Sequence, residues 1–242
     1  MRVAAKTDAG KVRMANEDCY CVGELPGGVA WAVICDGMGG AAGGNIASQT
    51  AANCVSDTIV NSYQEQMGSR SIKHLLVNAL DNANLRVHDL SMANETLAGM
   101  GTTVVAAIVA EQRIYIAHAG DSRAYIFNGK ELVQLTKDHS VVQEMVDIGQ
   151  ITEDEAKIHP NKNLITRALG VHETLDVDYC EEELPHGSTL LVCTDGLTNA
   201  VELNEIAAIL HKHCFADCAE VLVQRANENG GPDNITVVLV ES

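Results

Sequence analysis

One pattern limits this chain more than any other: apolar segments of strand length that end in an aspartate beside a glycine. Val29–Cys35 contains no charged residue and is followed at once by Asp36-Gly37. A short apolar run that stops at a turn signal predicts a buried β-strand, although its period alone does not exclude a helix. Asp36 would then lie at the rim of a core strand, where an unpaired carboxylate is costly. Taken alone, it is most simply a turn residue.

The same construction recurs elsewhere in the chain. Two apolar segments, Arg113–Ala119 and Ser188–Thr194, are each followed by a pair of one glycine and one aspartate, and two further strand segments begin just after acidic residues. Each position alone is typical of a turn, but solubility does not explain all of them together. The acidic residues concerned are Glu17, Asp18, Asp36, Asp121, Asp195 and Asp233.

If these strand ends converge, several carboxylates share one pocket. Two such charges about 4 Å apart repel each other by roughly 4 kcal/mol at an effective dielectric constant of about 20, so the cluster needs cations. Oxygen ligands without histidine or cysteine select Mg²⁺ or Mn²⁺ over zinc, and the histidines of this chain show no HxxxH-type ligand spacing. A two-metal carboxylate centre activates a water molecule for attack on a phosphorus or carbonyl centre.

Arg13 lies shortly before the acidic pair Glu17-Asp18. A guanidinium beside a carboxylate–metal centre is suited to bidentate recognition of a phosphate group. A simple salt bridge to Glu17 or Asp18 explains its position equally well. The spacing alone leaves both interpretations open.

Composition narrows the class of protein. The formal net charge of −17 argues against binding to nucleic acid or to an anionic membrane. The uncharged apolar runs are too short to cross a bilayer, and the N-terminus lacks the apolar core of a signal peptide, so we expect a cytoplasmic protein. The 8 cysteines include no CxxC pair, which favours reduced thiols over a disulfide framework.

Hydrophobic periodicity predicts helices that cover a two-sheet β core in a single domain. The region between Thr102 and Leu135 predicts four strands, with Asn128-Gly129 as the hairpin turn. A strand is also expected over Leu175–Glu181. Residues 138–170 are polar and irregular with short helical pieces, and we expect a surface insertion there. The main helices are expected over about 45–62, from 71 onwards, and over about 203–212 and 216–228.

Six motifs, in their order and rough spacing, resemble those of the metal-dependent protein phosphatases, the type-2C family. The match covers Met1 to Val240, and the DGMGG form together with the short length resembles the bacterial branch. The motifs are Arg13 with Asn16-Glu17-Asp18, Asp36-Gly37-Met38-Gly39-Gly40, Gly101-Thr102-Thr103, Gly120-Asp121-Ser122-Arg123, Asp195-Gly196-Leu197 and Asp233-Asn234-Ile235-Thr236.

The resemblance implies an α+β fold, a four-layer α-β-β-α sandwich of two packed, mostly antiparallel sheets flanked by helices. It implies one catalytic domain over residues 1–242, with a flap at about 138–170 beside the site. It also implies that a monomeric, cytoplasmic enzyme hydrolyses phosphoserine and phosphothreonine in proteins and so opposes a bacterial Ser/Thr kinase. The cofactors implied are two core Mn²⁺ or Mg²⁺ ions and a third, weaker one.

The resemblance also assigns ligands to these ions. Asp36 would bridge the two core ions, and the carbonyl of Gly37 would bind one of them. Asp195 and Asp233 would bind the other ion. Asp121 would help to hold the third, weaker ion.

Three further residues receive roles by the same resemblance. Asp18 would hold metal-bound waters, and Glu17 matches a position that is a direct ligand in some relatives. Arg13 would bind the phosphate of the substrate.

The sequence departs from the family in the loop after Asp36. Bacterial members usually have histidine at the position of Ala41 and glutamate at that of Asn45, and animal relatives carry histidine where Met38 stands. No histidine of this loop can therefore protonate the leaving oxygen of serine or threonine. Metal-bound water, or otherwise His159 of the flap, would then take that role. The departures affect the expected rate rather than the type of reaction.

Two other functions stay open beside a protein phosphatase. A catalytically silent regulatory domain of the same fold is disfavoured by the intact aspartates and Arg13. A two-metal nuclease or nucleotidase is disfavoured because the chain has few aromatic residues (3%) and no basic patch. A cysteine-dependent phosphatase is excluded, since no cysteine is followed by arginine six residues on.

Overall fold

The structure, a computed structural model, describes residues 1–241, apart from the side chains of residues 40–42. The strands are β1 (Arg2–Asp8), β2 (Asp18–Leu25), β3 (Val29–Met38), β4 (Gly101–Thr102), β5 (Val104–Ala110), β6 (Arg113–Ala119), β7 (Arg123–Phe127), β8 (Leu132–Gln134), β9 (Asp178–Glu183), β10 (Thr189–Cys193) and β11 (Ile235–Glu241). The helices are α1 (Gly40–Ser62), α2 (Ser69–Ala93), α3 (Val141–Asp147), α4 (Glu153–Lys157), α5 (Asp195–Thr198), α6 (Leu203–Lys212) and α7 (Phe215–Glu228), with a 3₁₀ turn at Glu95–Leu97.

The strands form two antiparallel sheets. The first has the order β1-β11-β10-β7-β8, and the second has the order β2-β3-β5-β6-β9 with β4 paired to the end of β3. In the first sheet the first and last strands of the chain pair along their whole length. In the second sheet the pairing of β2 with β3 places Asp18 directly opposite Asp36. The register therefore puts two of the predicted site residues side by side.

The two sheets pack face to face, and helices cover both outer faces. Ile34, Ile116 and Val238 belong to the cluster between the sheets. Helices α1 and α2 cover the second sheet, and α6 and α7 cover the first. The predicted four-layer α-β-β-α sandwich is confirmed. Because both faces of the central strands are buried, these strands are apolar along their length rather than alternating.

Helix α1 shows how the sequence pattern produces a layer. Ala47, Ala51, Val55 and Ile59 recur at intervals of four residues, which places them on one helical face. All four are fully buried. The alanines bring the helix close to the sheet. The predicted helix is confirmed, but it begins at Gly40 rather than after Gly44.

Two predicted strands differ from the observed ones. The strand expected over 102–110 is divided at Thr103, whose N–H and hydroxyl bond to the backbone of Asp36 instead of continuing a ladder. The strand expected from Leu175 begins at Asp178. Buried Asn84 of α2 donates to the carbonyls of His172 and Glu173. These bonds hold the preceding segment against the helix.

Residues 138–170, which we call the flap, connect β8 to the loop before β9. They contain α3 and α4, so the expectation of short helical pieces is confirmed. Helix α4 begins with a capping box between Thr152 and Glu155. A backbone bridge between Ser140 and Ile165 joins the two ends of the flap.

Two further expectations concern the chain as a whole. All 8 cysteines are free thiols. Within residues 1–241, no helix combines the length and hydrophobicity that crossing a bilayer requires.

Candidate metal centre

The strand ends that carry aspartates meet at one end of the two sheets. They surround a cavity of about 580 Å³, which we call the metal cavity. The predicted site residues that line it are Arg13, Glu17, Asp36, Gly37, Asp121, Asp195 and Asp233. Asp18, the remaining one, is buried beside Asp36. Residues up to 220 positions apart in the chain thus lie in one site.

Asp36 is held by Thr102 and Thr103, at the point where the predicted strand is divided. The carbonyl of Asp36 accepts bonds from Thr103 N–H and Thr102 Oγ1, both at 2.9 Å. The N–H of Asp36 donates to Thr103 Oγ1 at 3.0 Å. A Cβ on the following Gly37 would lie 2.1 Å from the carbonyl oxygen of Gly44 and 2.6 Å from that of Glu17. Only glycine lets the strand end approach these carbonyls so closely.

Asp18 carries an unsatisfied oxygen. Its Oδ2 accepts bonds from Thr194 Oγ1 at 2.9 Å and from Thr236 Oγ1 at 2.7 Å. Its Oδ1 is buried and has no hydrogen-bond partner within residues 1–241. Burial, and then the charges of Asp195 and Asp233, raise the pKa of Asp18 to about 7. A buried carboxylate oxygen without a donor fits a site that takes water or cations.

Asp195 and Asp233 are brought together by close packing of backbone. Asp195 is the first residue of α5, and its Oδ2 accepts a bond from Asn199 Nδ2 at 2.8 Å. A Cβ on Gly196 would lie 1.9 Å from the carbonyl oxygen of Asn234. The absence of a side chain at Gly196 therefore allows α5 to lie directly on the turn that carries Asp233.

The side chain of Asn234 connects this turn to the N-terminal loop. Its Nδ2 donates to the carbonyls of Ala9 and Ala15, both at 2.9 Å, and its Oδ1 accepts the N–H of Glu17 at 2.8 Å. The acidic pair is thereby fixed against the start of β11.

The electrostatics of the site test whether it suits a divalent cation. The pKa of Asp36 is raised well above its usual value, first by burial and then by Asp18, Asp195, Asp121 and Asp233. Burial raises the pKa of Asp121 to about 7, with Asp195 next in effect, and burial also raises that of Asp195. The carboxylates disfavour one another's charge, which divalent ions would relieve. As far as the structure describes the chain, the cavity lining contains oxygen ligands and neither histidine nor cysteine, so the donor set fits Mg²⁺ or Mn²⁺.

Arg13 reaches across the cavity rather than along its own loop. Its Nη2 lies 2.8 Å from Asp233 Oδ2. The salt bridge to Glu17 or Asp18 that spacing allowed is not the pairing observed. This hydrogen bond and the charge of Asp233 raise the pKa of Arg13. About half of the Arg13 side chain (54%) stays exposed at the cavity, which leaves N–H groups for a ligand.

Three supporting residues were missed by sequence reasoning. Thr194 and Asn199 bond to Asp18 and Asp195, and Asp138 accepts bonds from Arg123 at 2.6 and 2.9 Å. Asn199 could have been found from its position four residues after Asp195 on a helix. The contacts of Thr194 and Asp138 are long-range and leave no local signal.

The departures from the family pattern lie partly at the cavity. Met38 lines it. The side chain of Ala41 lies outside the part of the chain that the structure describes. His159 is not among the residues that line the metal cavity, and its Nδ1 accepts a bond from Asn161 N–H within the flap. The structure gives no support to His159 as the proton donor.

Comparison with known proteins decides the family. A family model described as protein phosphatase 2C matches residues 11–239. The chain belongs to the protein phosphatase 2C family. It is therefore a metal-dependent phosphatase, as the resemblance of its motifs implied.

Members of this family resemble the chain over its whole length. It is 39% identical to the serine/threonine phosphatase stp of Listeria monocytogenes, over 100% of this chain and 96% of that protein. The serine/threonine phosphatase of S. agalactiae superposes with a TM-score of 0.93 at 35% identity, covering 99% of this chain and 98% of that one. The catalytic domain of PstP in complex with 2 manganese ions superposes with a TM-score of 0.84 at 34% identity, covering 98% and 96%.

Proposed function

We propose that the protein hydrolyses phosphoserine and phosphothreonine in proteins, with water activated at a centre of two or three divalent ions. One observation carries the proposal: Asp36, Asp121, Asp195 and Asp233 line one cavity together with the exposed guanidinium of Arg13. Carboxylates that need cations, beside a group suited to phosphate, support the hydrolysis of phosphoric esters. The serine/threonine phosphatases that the chain resembles support the choice of substrate.

Mn²⁺ or Mg²⁺ bound at this site would lower the pKa of a water molecule and neutralise charge on the phosphoryl group. In the proposed arrangement Asp36 and the carbonyl of Gly37 would hold one ion, and Asp36, Asp195 and Asp233 would hold another. Asp121 would hold a third, weaker ion, and Glu17, which also lines the cavity, would serve as a further ligand.

Residues of the chain bind the phosphate and orient the water molecules. Arg13 orients the phosphate by bidentate hydrogen bonds. Asp18 accepts hydrogen bonds from water molecules through its free Oδ1 and so orients them. Among the residues that the structure describes, no histidine lines the metal cavity, so we assign protonation of the leaving serine or threonine oxygen to water.

A second cavity supports a protein substrate rather than a small one. This cavity, the flap groove, has a volume of about 740 Å³ and runs between the flap and residues 198–204. Asp121 and Asp195 line both cavities. A polypeptide whose phosphorylated residue lies in the metal cavity could therefore extend along the flap groove.

The proposal includes the setting of the enzyme. Residues 1–242 would act as one catalytic domain with the flap as its insertion. The chain would work as a monomer in the cytoplasm, away from nucleic acid and membranes. It would reverse the action of a cognate Ser/Thr kinase.

Hydrolysis of a phosphothreonine peptide in the presence of Mn²⁺ tests this function. We expect Asp36→Asn to reduce phosphate release at least about a thousandfold, because the bridging ligand is lost. Asp217→Asn, an exposed substitution on α7 far from the site, is the matched control and should leave the rate unchanged.

Two outcomes would contradict the proposal. Release of phosphate from an oligonucleotide or nucleotide in preference to the peptide would indicate a nucleotidase. A wild-type protein that hydrolyses neither the peptide nor p-nitrophenyl phosphate with any divalent ion would indicate a silent domain.

A further inference from the structure

We propose that His139, the second residue of the flap, is a positioning residue that holds the segment carrying Asp121 through the unprotonated Nδ1 of its imidazole. The link to activity rests on the proposed function, whereas the link to the Asp121 segment does not. His139 lies outside both cavities. No role follows for it from the family motifs identified above.

Two hydrogen bonds connect His139 to the residue that precedes Asp121. The backbone N–H of His139 donates to the carbonyl of Gly120 at 2.9 Å. In return the N–H of Gly120 donates to Nδ1 of His139 at 3.1 Å. Both backbone groups of Gly120 are thus satisfied by one flap residue, which is itself buried.

The neighbouring flap residue holds the other side of the same segment. Asp138 accepts hydrogen bonds from Nε and Nη2 of Arg123, and the shortest is 2.6 Å. Gly120 and Arg123 flank Asp121 in the chain. The first two residues of the flap therefore hold the Asp121 segment at both of its ends.

His139 also holds the far end of the flap. Its carbonyl accepts the N–H of Thr166 at 2.8 Å. One residue thereby connects the beginning of the flap, the end of the flap and the loop of a proposed metal ligand. A displacement of the flap base would reach Asp121 through these bonds.

The hydrogen bonds assign the tautomer of His139. Because Nδ1 accepts an N–H, it carries the lone pair, and the proton of the neutral ring lies on Nε2. Nε2 lies 3.3 Å from Asp178 Oδ2, which can accept this proton, and 3.2 Å from Nη1 of Arg167, which cannot. Arg167 bonds to the other oxygen of Asp178 at 2.8 Å.

The surroundings favour this neutral ring. Burial lowers the pKa of His139 most, followed by the charge of His118, and Arg167 also lowers it, whereas Asp178 raises it. The ring of His118, from β6, is stacked on that of His139 with centroids 4.9 Å apart. Asp178 comes from β9 and Arg167 from the end of the flap, so a negatively charged and a positively charged side chain both face the ring of His139.

Protonation would break the contact with Gly120. As the pH falls through the lowered pKa of His139, Nδ1 gains a proton and can no longer accept the N–H of Gly120. Two donors would then face each other in a buried place. Above that pKa the bond is intact, so the segment is held at neutral pH and released under acid conditions.

The same cluster invites a different interpretation as a metal site. Ligand atoms of His118, His139 and Asp178 lie within 4.8 Å of one another. However, Gly120 already occupies Nδ1 of His139, so binding an ion at Nε2 would require an imidazolate. The guanidinium of Arg167 already neutralises Asp178. The cluster is therefore assigned to hydrogen bonding.

A pair of matched substitutions tests the role of Nδ1. In His139→Asn the side-chain oxygen takes the place of Nδ1 and can still accept the N–H of Gly120. In His139→Gln the polar group reaches the place of Nε2 and can still contact Asp178, but not Gly120. A merely structural polar residue would tolerate both substitutions equally.

The first readout is hydrogen exchange of the Gly120 amide in the metal-free protein, which is independent of catalysis. We expect His139→Gln to speed exchange about tenfold relative to His139→Asn, the effect of one hydrogen bond. In the wild type, lowering the pH through the lowered pKa of His139 should remove the protection beyond the intrinsic pH effect. In His139→Asn this additional loss should be absent.

The second readout is activity towards p-nitrophenyl phosphate with Mn²⁺. We expect His139→Gln to raise the concentration of Mn²⁺ needed for half-maximal rate about tenfold, with KM nearly unchanged, and His139→Asn to restore it. If the wild type is inactive, the proposed function fails while the exchange result still decides the role of His139.

One measurement keeps the test decisive if the variants do not fold. Long-range ¹⁵N–¹H spectra of the wild type should show His139 as the Nε2–H tautomer at neutral pH. An Nδ1–H tautomer would overturn the proposal, and so would equal protection of Gly120 in the two variants.

Discussion

Two groups of carboxylates in this protein differ in where their counter-charge comes from. At the flap base, Asp138 accepts hydrogen bonds from Arg123, and Asp178 accepts them from Arg167. Burial alone would raise the pKa of Asp178, but hydrogen bonds from His139 and Arg167 outweigh it and lower that pKa. These carboxylates receive their counter-charge from the chain itself.

In the metal cavity the counter-charge is missing. The pKa values of Asp18, Asp36, Asp121 and Asp195 are raised, in each case first by burial. Within residues 1–241, Asp233 is the one aspartate of this cavity lining that forms an ion pair with an arginine. The difference indicates which carboxylates serve function. A carboxylate paired within the chain stabilises the fold, whereas a buried carboxylate without such a partner indicates that a ligand from outside the chain binds there.

The largest effect on stability should come from breaking a compensated pair. Arg123→Met leaves Asp138 buried without its partner, and we expect a loss of about 3–5 kcal/mol in the free energy of unfolding. Urea denaturation measures it. Lys157→Met, which removes the exposed pair with Asp154, should lower the free energy of unfolding far less. Equal losses of unfolding free energy in the two variants would contradict the proposed difference between the buried pair and the exposed pair.

Metal ions should supply the charge that the second group lacks. Because the folded protein holds protons on Asp18 and Asp121 up to about pH 7, it binds more protons than the unfolded chain above pH ~4. These two carboxyl groups should therefore make the free energy of unfolding of the metal-free protein fall as the pH rises from about 4 to about 7. His118 and His139, whose pKa values are lowered by burial, make an opposite contribution, which the several raised aspartates outweigh. At pH 8, Mn²⁺ at about a hundred times its Kd should restore about 2.7 kcal/mol. Thermal scans with and without Mn²⁺ check both statements, and a metal-free stability that rises across this range would contradict the first.

Removing one uncompensated charge should stabilise the metal-free protein. Asp36→Asn removes the carboxylate that we propose bridges two metal ions. In the absence of metal at pH 8 we nevertheless expect it to increase the free energy of unfolding by about 2 kcal/mol, because it relieves the repulsion between carboxylates and the cost of burying a charge. The same variant should gain little from Mn²⁺. Chemical denaturation of the wild type and the variant measures both. A destabilised metal-free Asp36→Asn protein would show that the carboxylate has a structural partner.

Arg13 should give the smallest effect because it is half exposed. We expect Arg13→Ala to lower kcat/KM for a phosphopeptide about tenfold, through loss of a charge-assisted contact with the phosphate. Arg86→Ala, an exposed substitution on α2, is the control for a general change in net charge. An unchanged kcat/KM in Arg13→Ala would show that Arg13 forms the salt bridge with Asp233 but does not bind the phosphate of the substrate.

Much of the fold followed from local pattern. The buried stripe of α1 and the apolar runs of β3, β5 and β11 were predictable because burial on one or two faces leaves a periodic trace in the sequence. The prediction of a continuous strand over 102–110 was wrong at Thr103, because the hydrogen bonds of Thr103 to Asp36 interrupt the strand that hydrophobicity alone predicts. The late start of β9 has the same kind of cause, because Asn84 of a distant helix binds the segment before it.

The acidic residues of the candidate site were also visible in the sequence, as aspartates that recur at the ends of apolar strands. What the sequence determined by itself was therefore the layers and the position of each carboxylate along its strand, since hydrophobic period and turn residues are local properties. Only the tertiary structure decided which carboxylates meet, that Arg13 pairs with Asp233, and that Asp138 and Asp178 receive partners while Asp36 does not. The physical reason is that charge compensation depends on distances between residues far apart in the chain, and no local pattern records those distances.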